Sequence, residues 1–268
     1  MAKVNLTDAL RREYENLFNT CVIRTSRQAR VEAIVATLIA NRARYESVTA
    51  STGVPWFFVG AVHNMESDMR FNRHLHNGDP LTARTVHEPP GRPKSGEPPF
   101  TWEASAADAL ALRSLSAATD WSLAGLLYQI EGYNGWGYRL YHTHVLSPYL
   151  WAGSNLYSSG KYIEDGRWSD TAVSSQNGAA VVLRRLAELE HIEFDDQPVP
   201  AQPDAPLLVQ YSVARSPDPN VNQRAEDLQR WLNTFPGVFV KIDGVPGPRT
   251  SDGYRKVTGA YLPGDPRS

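Results

Sequence analysis

Glu66 ends an apolar segment in a position that suits a proton donor. Residues 55–67, PWFFVGAVHNMES, show helical periodicity with Glu66 near the carboxyl end. Burial disfavours the charged form of a carboxyl group, and the negative end of the helix dipole acts in the same direction. Both effects raise the pKa of a Glu towards neutrality, as general acid catalysis requires. The simpler interpretation is that Glu66 marks the point where the helix meets solvent.

Asp79 is the candidate for a second catalytic carboxylate. It follows Glu66 by 13 residues and lies in an Asn-Gly-Asp-Pro sequence. An acid at a helix end and a carboxylate in a turn can face each other across a cleft. One then protonates the leaving oxygen of a glycosidic bond while the other positions water. Ordinary turn chemistry explains Asp79 equally well. His74, His76 and Asp108 are the alternatives for this second role.

An aromatic and glycine-rich segment, EGYNGWGY, covers residues 131–138. Tyr and Trp rings stack on sugar rings, the Asn amide offers a donor and an acceptor, and glycines allow close backbone approach. These properties select Tyr133, Asn134, Trp136 and Tyr138 as candidate substrate contacts. The alternative is a helix C-cap followed by packed aromatic rings.

Histidines provide a competing hypothesis. Imidazoles together with the Glu66 carboxylate can hold zinc with an open position for water, as in cell-wall amidases and peptidases. No HExxH motif is present, and many His-x-His pairs are polar surface residues. The candidate ligands are five of the seven histidines: His63, His74, His76, His142 and His144.

The elements that position these residues are predicted to be mostly helical. Between residues 69 and 102 the helical period is lost, and Asn77-Gly78-Asp79 indicates a turn flanked by strand-like pieces such as Thr82–Val86. Thr101 and Asp120 are helix-capping candidates, and Gly132 is expected to end a helix. The fold class expected is therefore mainly α with a small β-excursion. Helical periodicity covers residues 7–20, 25–45, 55–67, 103–117, 120–131 and 171–191.

A proline-rich stretch, DDQPVPAQPDAP, divides the chain. Four prolines among the 12 residues 195–206 favour an extended, semi-rigid spacer. We therefore predict a catalytic domain over residues 1–194, a linker over 195–206 and a small C-terminal domain over 207–268.

The site residues of the first domain resemble the lysozyme-like superfamily. The resemblance is to goose-type lysozymes and soluble lytic transglycosylases, which cleave the MurNAc–GlcNAc linkage of peptidoglycan. It lies in Glu66-Ser67 at a helix end, a later turn carboxylate and Tyr133-Asn134-Gly135. The resemblance implies a lysozyme-like α+β domain with Glu66 as the acid and Asp79 at the position of the goose-type secondary carboxylate. The Gly-Leu-Met-Gln stretch of the transglycosylases is absent.

The resemblance also implies which residues bind the sugar chain. Tyr133 and Asn134 match the Tyr-Asn segment that lines the cleft in that superfamily, and Trp136 and Tyr138 follow it directly. The predicted substrate-binding set is Ser67, His76, Tyr133, Asn134, Trp136 and Tyr138. No metal and no other cofactor belongs to this prediction.

The C-terminal segment resembles a small helical peptidoglycan-binding domain. The family pattern is a Leu-Gln-x-x-Leu-Asn helix followed by Asp-Gly-x-x-Gly-x-x-Thr. Here it corresponds to Leu228–Asn233 and to the segment from Asp243 to Thr250. Asp243-Gly244 is expected to form a turn, and Thr250 is expected to cap a helix that begins near Ser251.

Composition limits the classes of partner. With 27 Lys and Arg against 29 Asp and Glu, the net charge of −2 gives no electrostatic footprint for nucleic acid. One cysteine excludes an intrachain disulfide. The longest apolar run, Val54–Val62, is too short for an integral membrane segment. Charged residues near the N-terminus argue against a signal peptide, so we expect synthesis in the cytoplasm.

The sequence as a whole favours an endolysin-like peptidoglycan hydrolase that acts as a monomer on glycan strands. It would reach the cell wall after release, through a holin or another export route. A zinc-dependent amidase or peptidase and a non-catalytic wall-binding protein are the alternatives. Chitinase, chitosanase and transglycosylase activities also fit the same residues.

Overall fold

Helices dominate the fold. The computed structural model describes residues 4–164, 166–194 and 209–268. With 48% helix and 4% strand, the described residues confirm the mainly α class. The helices, in chain order, are α1 (Asp8–Thr20), α2 (Thr25–Ala40), α3 (Arg42–Thr52), α4 (Trp56–Ser67), α5 (Trp102–Leu112), α6 (Leu123–Asn134), α7 (Gly137–Tyr141), α8 (Pro148–Trp151), α9 (Ala179–Glu188), α10 (Pro219–Leu232) and α11 (Pro248–Thr258).

The small sheet lies elsewhere than the sequence predicts. Its two antiparallel strands are β1 (Lys161–Glu164) and β2 (Arg167–Ser169), with Tyr162 paired to Trp168. The expected strand at Thr82–Val86 is wrong, since this segment belongs to an irregular loop. Its backbone donors go to loop partners rather than to a neighbouring strand, because the N–H of Val86 donates to the Asp79 carboxylate.

Several helix boundaries differ from the periodicity. The predicted 25–45 helix is two helices, α2 and α3, which meet at Asn41. Thr101 caps α5 by accepting from the N–H of Ala104, as predicted. Asp120 does not cap α6, because the side chain of Ser122 takes that position.

Helices α5, α6 and α9 also differ in extent from the predicted ranges. The α5 helix ends at Leu112 rather than near 117. Gly132 lies inside α6, which continues to Asn134 and ends before Gly135. The α9 helix covers Ala179–Glu188 only, so the predicted 171–191 helix is too long at both ends.

The α4 helix lies at the centre of the larger core. Its residues are buried on all sides, including Phe58, Val59 and Val62, as expected for a helix that is apolar all round. It packs against α2, α3, α6 and α9. The carboxyl end of this central helix, which carries Glu66, is therefore held by most of the fold.

The C-terminal segment has a core of its own around α10 and α11. The buried side-chain amide of Gln229 accepts from the N–H groups of Asp243 and Gly244 and donates to the hydroxyl of Thr250. Gly244 has a φ of 73°, which supports the predicted turn. Thr250 is not a helix cap, because α11 already begins at Pro248 and Thr250 is buried within its first turn.

The C-terminal segment packs directly against the rest of the chain. The Phe239 ring lies edge-on to Phe18 and Phe194, with ring centroids 5.4 and 5.6 Å away. Arg184 is fully buried and donates to the carbonyls of Phe18 at 3.1 Å and Val240 at 2.9 Å. The predicted linker, residues 195–206, lies outside the described residues.

Among the residues that the structure describes, no helix has the length and apolar character needed to cross a membrane.

Candidate active site

Glu66 lies at the carboxyl end of α4 with its side chain half-buried. The α4 helix ends there because Asp68 adopts a left-handed conformation with a φ of 51°. The phenol of Tyr149, in the short helix α8, donates a hydrogen bond of 2.7 Å to Oε1 of Glu66. The carboxyl group therefore has a fixed orientation and one hydroxyl donor.

The environment of Glu66 brings the pKa of its carboxyl group close to neutral pH. Burial raises its pKa, while the Tyr149 hydrogen bond and the positive charge of Arg113 lower it, and the result is a pKa of about 7. Protonated and ionised forms are thus both populated at neutral pH. This is the property that a general acid needs.

Tyr133 and Arg113 both interact electrostatically with Glu66. Tyr133 is buried, and its hydroxyl donates to the carbonyl of Leu75 at 3.0 Å. The guanidinium of Arg113 lies 3.7 Å from the centroid of the Tyr133 ring. Burial, followed by the charge of Glu66, raises the pKa of Tyr133, so its phenol stays protonated. Tyr133 is therefore an uncharged side chain in the surroundings of Glu66.

The predicted Asn77-Gly78-Asp79 turn lies against the end of α4. Gly78 has a φ of 79°, and a Cβ placed on it would lie 2.9 Å from the carbonyl oxygen of Glu66. Only glycine fits this contact without displacing the helix end. Ser67 is buried beside it, and its hydroxyl donates to the His63 carbonyl within α4.

Asp79 orders the loop that follows this turn. Its carboxylate accepts from the N–H groups of Val86 and His87 at 2.8 and 3.0 Å, from the His87 ring at 2.6 Å and from the Asn77 amide at 3.1 Å. Partial burial raises its pKa, but the hydrogen bonds from His87 and Val86 outweigh this and bring it to about 2. Asp79 is thus ionised, and the turn role that the sequence offered as an alternative is present. Its role as a catalytic base stays a prediction.

His76 belongs to a buried ionic cluster. Its Nε2 atom lies 2.8 Å from Oδ2 of Asp108, and Arg92 pairs with both oxygens of the same carboxylate at 2.8 Å. Burial lowers the pKa of His76 despite the neighbouring carboxylate. The cluster ties the proline-rich loop to α5. Substrate binding by His76 and a catalytic role for Asp108 stay predictions.

The other histidines occupy two kinds of environment. His74 uses both ring nitrogens, with Ser105 at 2.7 Å and the Ala83 carbonyl at 2.8 Å. Burial lowers the pKa of His63 to about 4, and its ring packs on Trp102. No group of three potential metal ligands occurs among the described residues. The histidines therefore do not converge as the zinc hypothesis requires.

His142 and Tyr138 belong to an aromatic cluster at the hairpin. The His142 ring stacks on Trp168 with centroids 3.5 Å apart, and Tyr138 contacts Tyr162 and Trp168 edge-on. His144 lies at the edge of the same cluster. The structure thus places Tyr138 among hairpin rings rather than against Tyr133.

Asn134 and Trp136 follow Tyr133 at the end of α6. Asn134 is exposed, and Trp136 packs against Tyr128 with ring centroids 4.8 Å apart. Trp136 and Tyr133 both line a cavity of about 380 Å³. Of the predicted sugar contacts, these two share one concave surface.

Sequence reasoning missed two residues that set the chemistry of Glu66. Tyr149 lies 83 residues further along the chain, and Arg113 follows the last residue of α5. Neither belongs to a recognisable motif. Gln176 was also missed, and its amide donates to the Met65 carbonyl at 3.0 Å, beside Glu66. Only the tertiary fold brings these side chains to the end of α4.

Comparison with known proteins gives no match: no family model, no curated protein and no solved structure is significantly similar to this chain.

Proposed function

We propose that this protein is a glycoside hydrolase that cleaves the β-1,4 MurNAc–GlcNAc bond of peptidoglycan, with Glu66 as the general acid. The observation that carries the proposal is the pKa of about 7 at Glu66, on a half-buried carboxyl group oriented by Tyr149. An acid with this pKa is protonated in a large fraction of molecules at neutral pH and can donate to a leaving oxygen. The resemblance of Glu66-Ser67 and Tyr133-Asn134 to lysozyme-like enzymes points to the same role.

In the proposed reaction, Glu66 protonates the glycosidic oxygen while positive charge develops at the anomeric carbon. Asp79 is the proposed second carboxylate, since its hydrogen bonds keep it ionised in the turn that lies against α4. Water attack on the opposite sugar face would invert the anomeric centre, and a covalent intermediate on a carboxylate would retain it. If no carboxylate assists, attack by the 6-hydroxyl of the muramyl residue would leave a 1,6-anhydro end.

The C-terminal segment is proposed to hold the protein on the wall. The Gln229 amide and the Asp243-Gly244 turn that it binds carry the resemblance to peptidoglycan-binding domains. With this role, the protein would act outside the cytoplasmic membrane after release from the cell, as endolysins do with a holin.

Product analysis by mass spectrometry tests the proposal. Purified peptidoglycan is digested with wild type, Glu66→Gln and the matched control Glu46→Gln, each in the presence and in the absence of EDTA. Glu46 is exposed and pairs with Arg42, so the control loses the same charge far from the proposed chemistry. We expect reducing muropeptides from wild type and the control, and none from Glu66→Gln.

The remaining outcomes separate the alternatives. Anhydro ends would identify a transglycosylase, and release of peptides only in the absence of EDTA would support the zinc enzyme. Wall binding without any product, or full activity of Glu66→Gln, would refute the proposed reaction.

A further inference from the structure

Arg113 carries a positive charge that no carboxylate of the described residues contacts directly. It is exposed just beyond the end of α5, and it forms no ion pair with any carboxylate of the described residues. Its guanidinium lies 3.7 Å from the centroid of the Tyr133 ring, donates a long hydrogen bond of 3.4 Å to the Gly132 carbonyl and interacts with the Tyr133 hydroxyl. Most of its five N–H donors therefore remain available.

The cavity beside Arg113 has the size and lining of a sugar subsite. Its volume is about 380 Å³, within the usual range for small-ligand sites. Trp136 and Tyr128 form one wall with rings tilted by 37°. The Gln129 amide also lines it and makes no side-chain hydrogen bond within the described residues. Aromatic surface, a free amide and an unpaired guanidinium meet in one concavity.

Two residues that line the cavity, Tyr133 and Arg113, also interact electrostatically with Glu66. Arg113 acts on Tyr133 through its charge as well. A ligand in the cavity would therefore contact the two residues whose electrostatic interactions reach Glu66.

We propose that this cavity is a subsite for an acidic sugar, in which the guanidinium of Arg113 pairs with a carboxylate carried by the glycan. The planar fork of an arginine matches a carboxylate in a bidentate geometry. In peptidoglycan the carboxylate would be the free lactyl carboxylate of a muramyl residue without a stem peptide, because attachment of the peptide converts this carboxyl group to an amide. Chitin and chitosan lack such a group, so the subsite would select against them. This inference rests on the proposed function for its substrate class.

Occupation of the subsite would also act on Glu66. The positive charge of Arg113 favours the ionised form of Glu66. A substrate carboxylate bound to Arg113 would offset that charge, so the acid would keep its proton in the complex. Binding of the correct substrate would thus favour the protonation state that the reaction requires.

Binding measurements on an inactive background test the subsite directly. The probes are two versions of a GlcNAc–MurNAc tetrasaccharide, one with free lactyl carboxylates and one with these converted to methylamides. Affinities are measured by calorimetry for Glu66→Gln, for Glu66→Gln with Arg113→Gln, and for Glu66→Gln with Arg42→Gln. Arg42 is an exposed arginine of α3 that lies over Trp56, and it serves as the matched control.

We expect Glu66→Gln to prefer the acid over the amide by about tenfold, as a charge-assisted pair would give. The Arg113 variant should lose this preference, the Arg42 control should keep it, and Arg113→Lys should keep part of it. Equal affinity for both probes in Glu66→Gln, or no binding of either, would overturn the subsite. A preference that survives Arg113→Gln would also overturn it.

Wild-type lysis distinguishes this failure from failure of the proposed function. If wild type releases reducing muropeptides while both probes bind equally, the proposed glycosidase activity is supported and the subsite is refuted. If an Arg113-dependent preference for the acidic probe is present but wild type cleaves nothing, the subsite is supported and the catalytic proposal is refuted. Thermal melts of each variant establish that the loss is not one of folding.

Discussion

Replacement of Glu66 by Gln should make the protein more stable at high pH. The pKa of Glu66 is about 7 in the folded protein, against 4.5 for an ordinary Glu. Between these two values the folded protein keeps the proton and the unfolded chain has lost it. The free energy of unfolding therefore falls as pH rises through this window. Gln carries no titrating group and still offers an oxygen to Tyr149, so the variant escapes this loss.

The size of the effect follows from the shift. Each pKa unit corresponds to about 1.4 kcal/mol, so the burial of this carboxyl group costs up to about 3 kcal/mol once it is fully ionised. Near pH 4, where both side chains are neutral, wild type and Glu66→Gln should have nearly equal stability. Above pH 7 the variant should be more stable by about 2–3 kcal/mol.

Urea denaturation of both proteins from pH 4 to pH 8.5 measures this difference, and the low-pH pair serves as the internal control. The same purified variant is inactive in the proposed reaction, so a gain in stability would accompany the loss of function. A gap that is absent at pH 8, or one in which wild type is the more stable protein, would refute the assignment of Glu66 as a carboxyl group kept neutral by burial.

Three further substitutions test the neighbourhood of the site. Tyr149→Phe removes a hydrogen bond that favours the ionised form of Glu66, so the high-pH limb of the activity profile should move up by about one pH unit. Carbon-13 NMR of the Glu66 carboxyl group measures the same shift in its pKa, and an unchanged pKa would contradict it. Asp79→Asn places amide protons against the donors of His87 and should cost about 2–3 kcal/mol in urea denaturation, with loss of amide exchange protection in the loop; wild-type stability would count against the anchoring role. Because the Asp79 pKa is depressed to about 2, its contribution is present above pH 3.8 and should disappear as pH falls through 2. Gly178 is the N-cap residue of α9, and the Cβ added in Gly178→Ala would overlap the carbonyl oxygen of Leu150. The substitution should cost several kcal/mol, measured by thermal unfolding, and an unchanged melting temperature would contradict this close contact.

The central helix and its carboxyl end could be predicted from the sequence because both signals are local. Residues 56–62 are wholly apolar, and the helical pattern of residues 55–67 gives α4 nearly to the residue. The turn at Asn77-Gly78-Asp79 is likewise encoded by its own residues. The burial of Glu66 follows from the same pattern, since a helix that is apolar on all sides must lie inside the fold.

The errors arose where a local signal competes with a tertiary contact. Thr82–Val86 has strand-like composition, but the Val86 N–H donates to the Asp79 carboxylate and the Thr85 N–H to the Arg92 carbonyl, so no strand ladder forms. Gly132 was expected to end α6, yet the helix continues to Asn134, and the missing Cβ of Gly132 leaves room for the Trp136 ring. Thr250 is a residue type that often caps helices, but here its hydroxyl accepts a hydrogen bond from the Gln229 side chain.

The partners of Glu66 were beyond the reach of the sequence. Tyr149 and Arg113 come from α8 and from the end of α5, and nothing in their neighbours distinguishes them from other surface or core residues. Their importance is a matter of distance and charge, which only the packed structure defines. The sequence therefore singles out Glu66 as a candidate, and the fold supplies the two groups that shift its pKa.

The buried guanidinium of Arg184 ties the C-terminal segment to the rest of the chain, so this segment is poorly suited to transfer into another protein. An arginine keeps its charge at every pH that a protein survives, so its donors must always be satisfied. Here one of them needs the Val240 carbonyl, and the rings of Phe18 and Phe194 need Phe239. Without the C-terminal segment Arg184 would keep its ion pair with Glu188 but would lose the Val240 carbonyl, and Phe18 and Phe194 would lose the ring that packs on them. The isolated C-terminal segment would in turn expose Phe239, so removal of either part should destabilise the other.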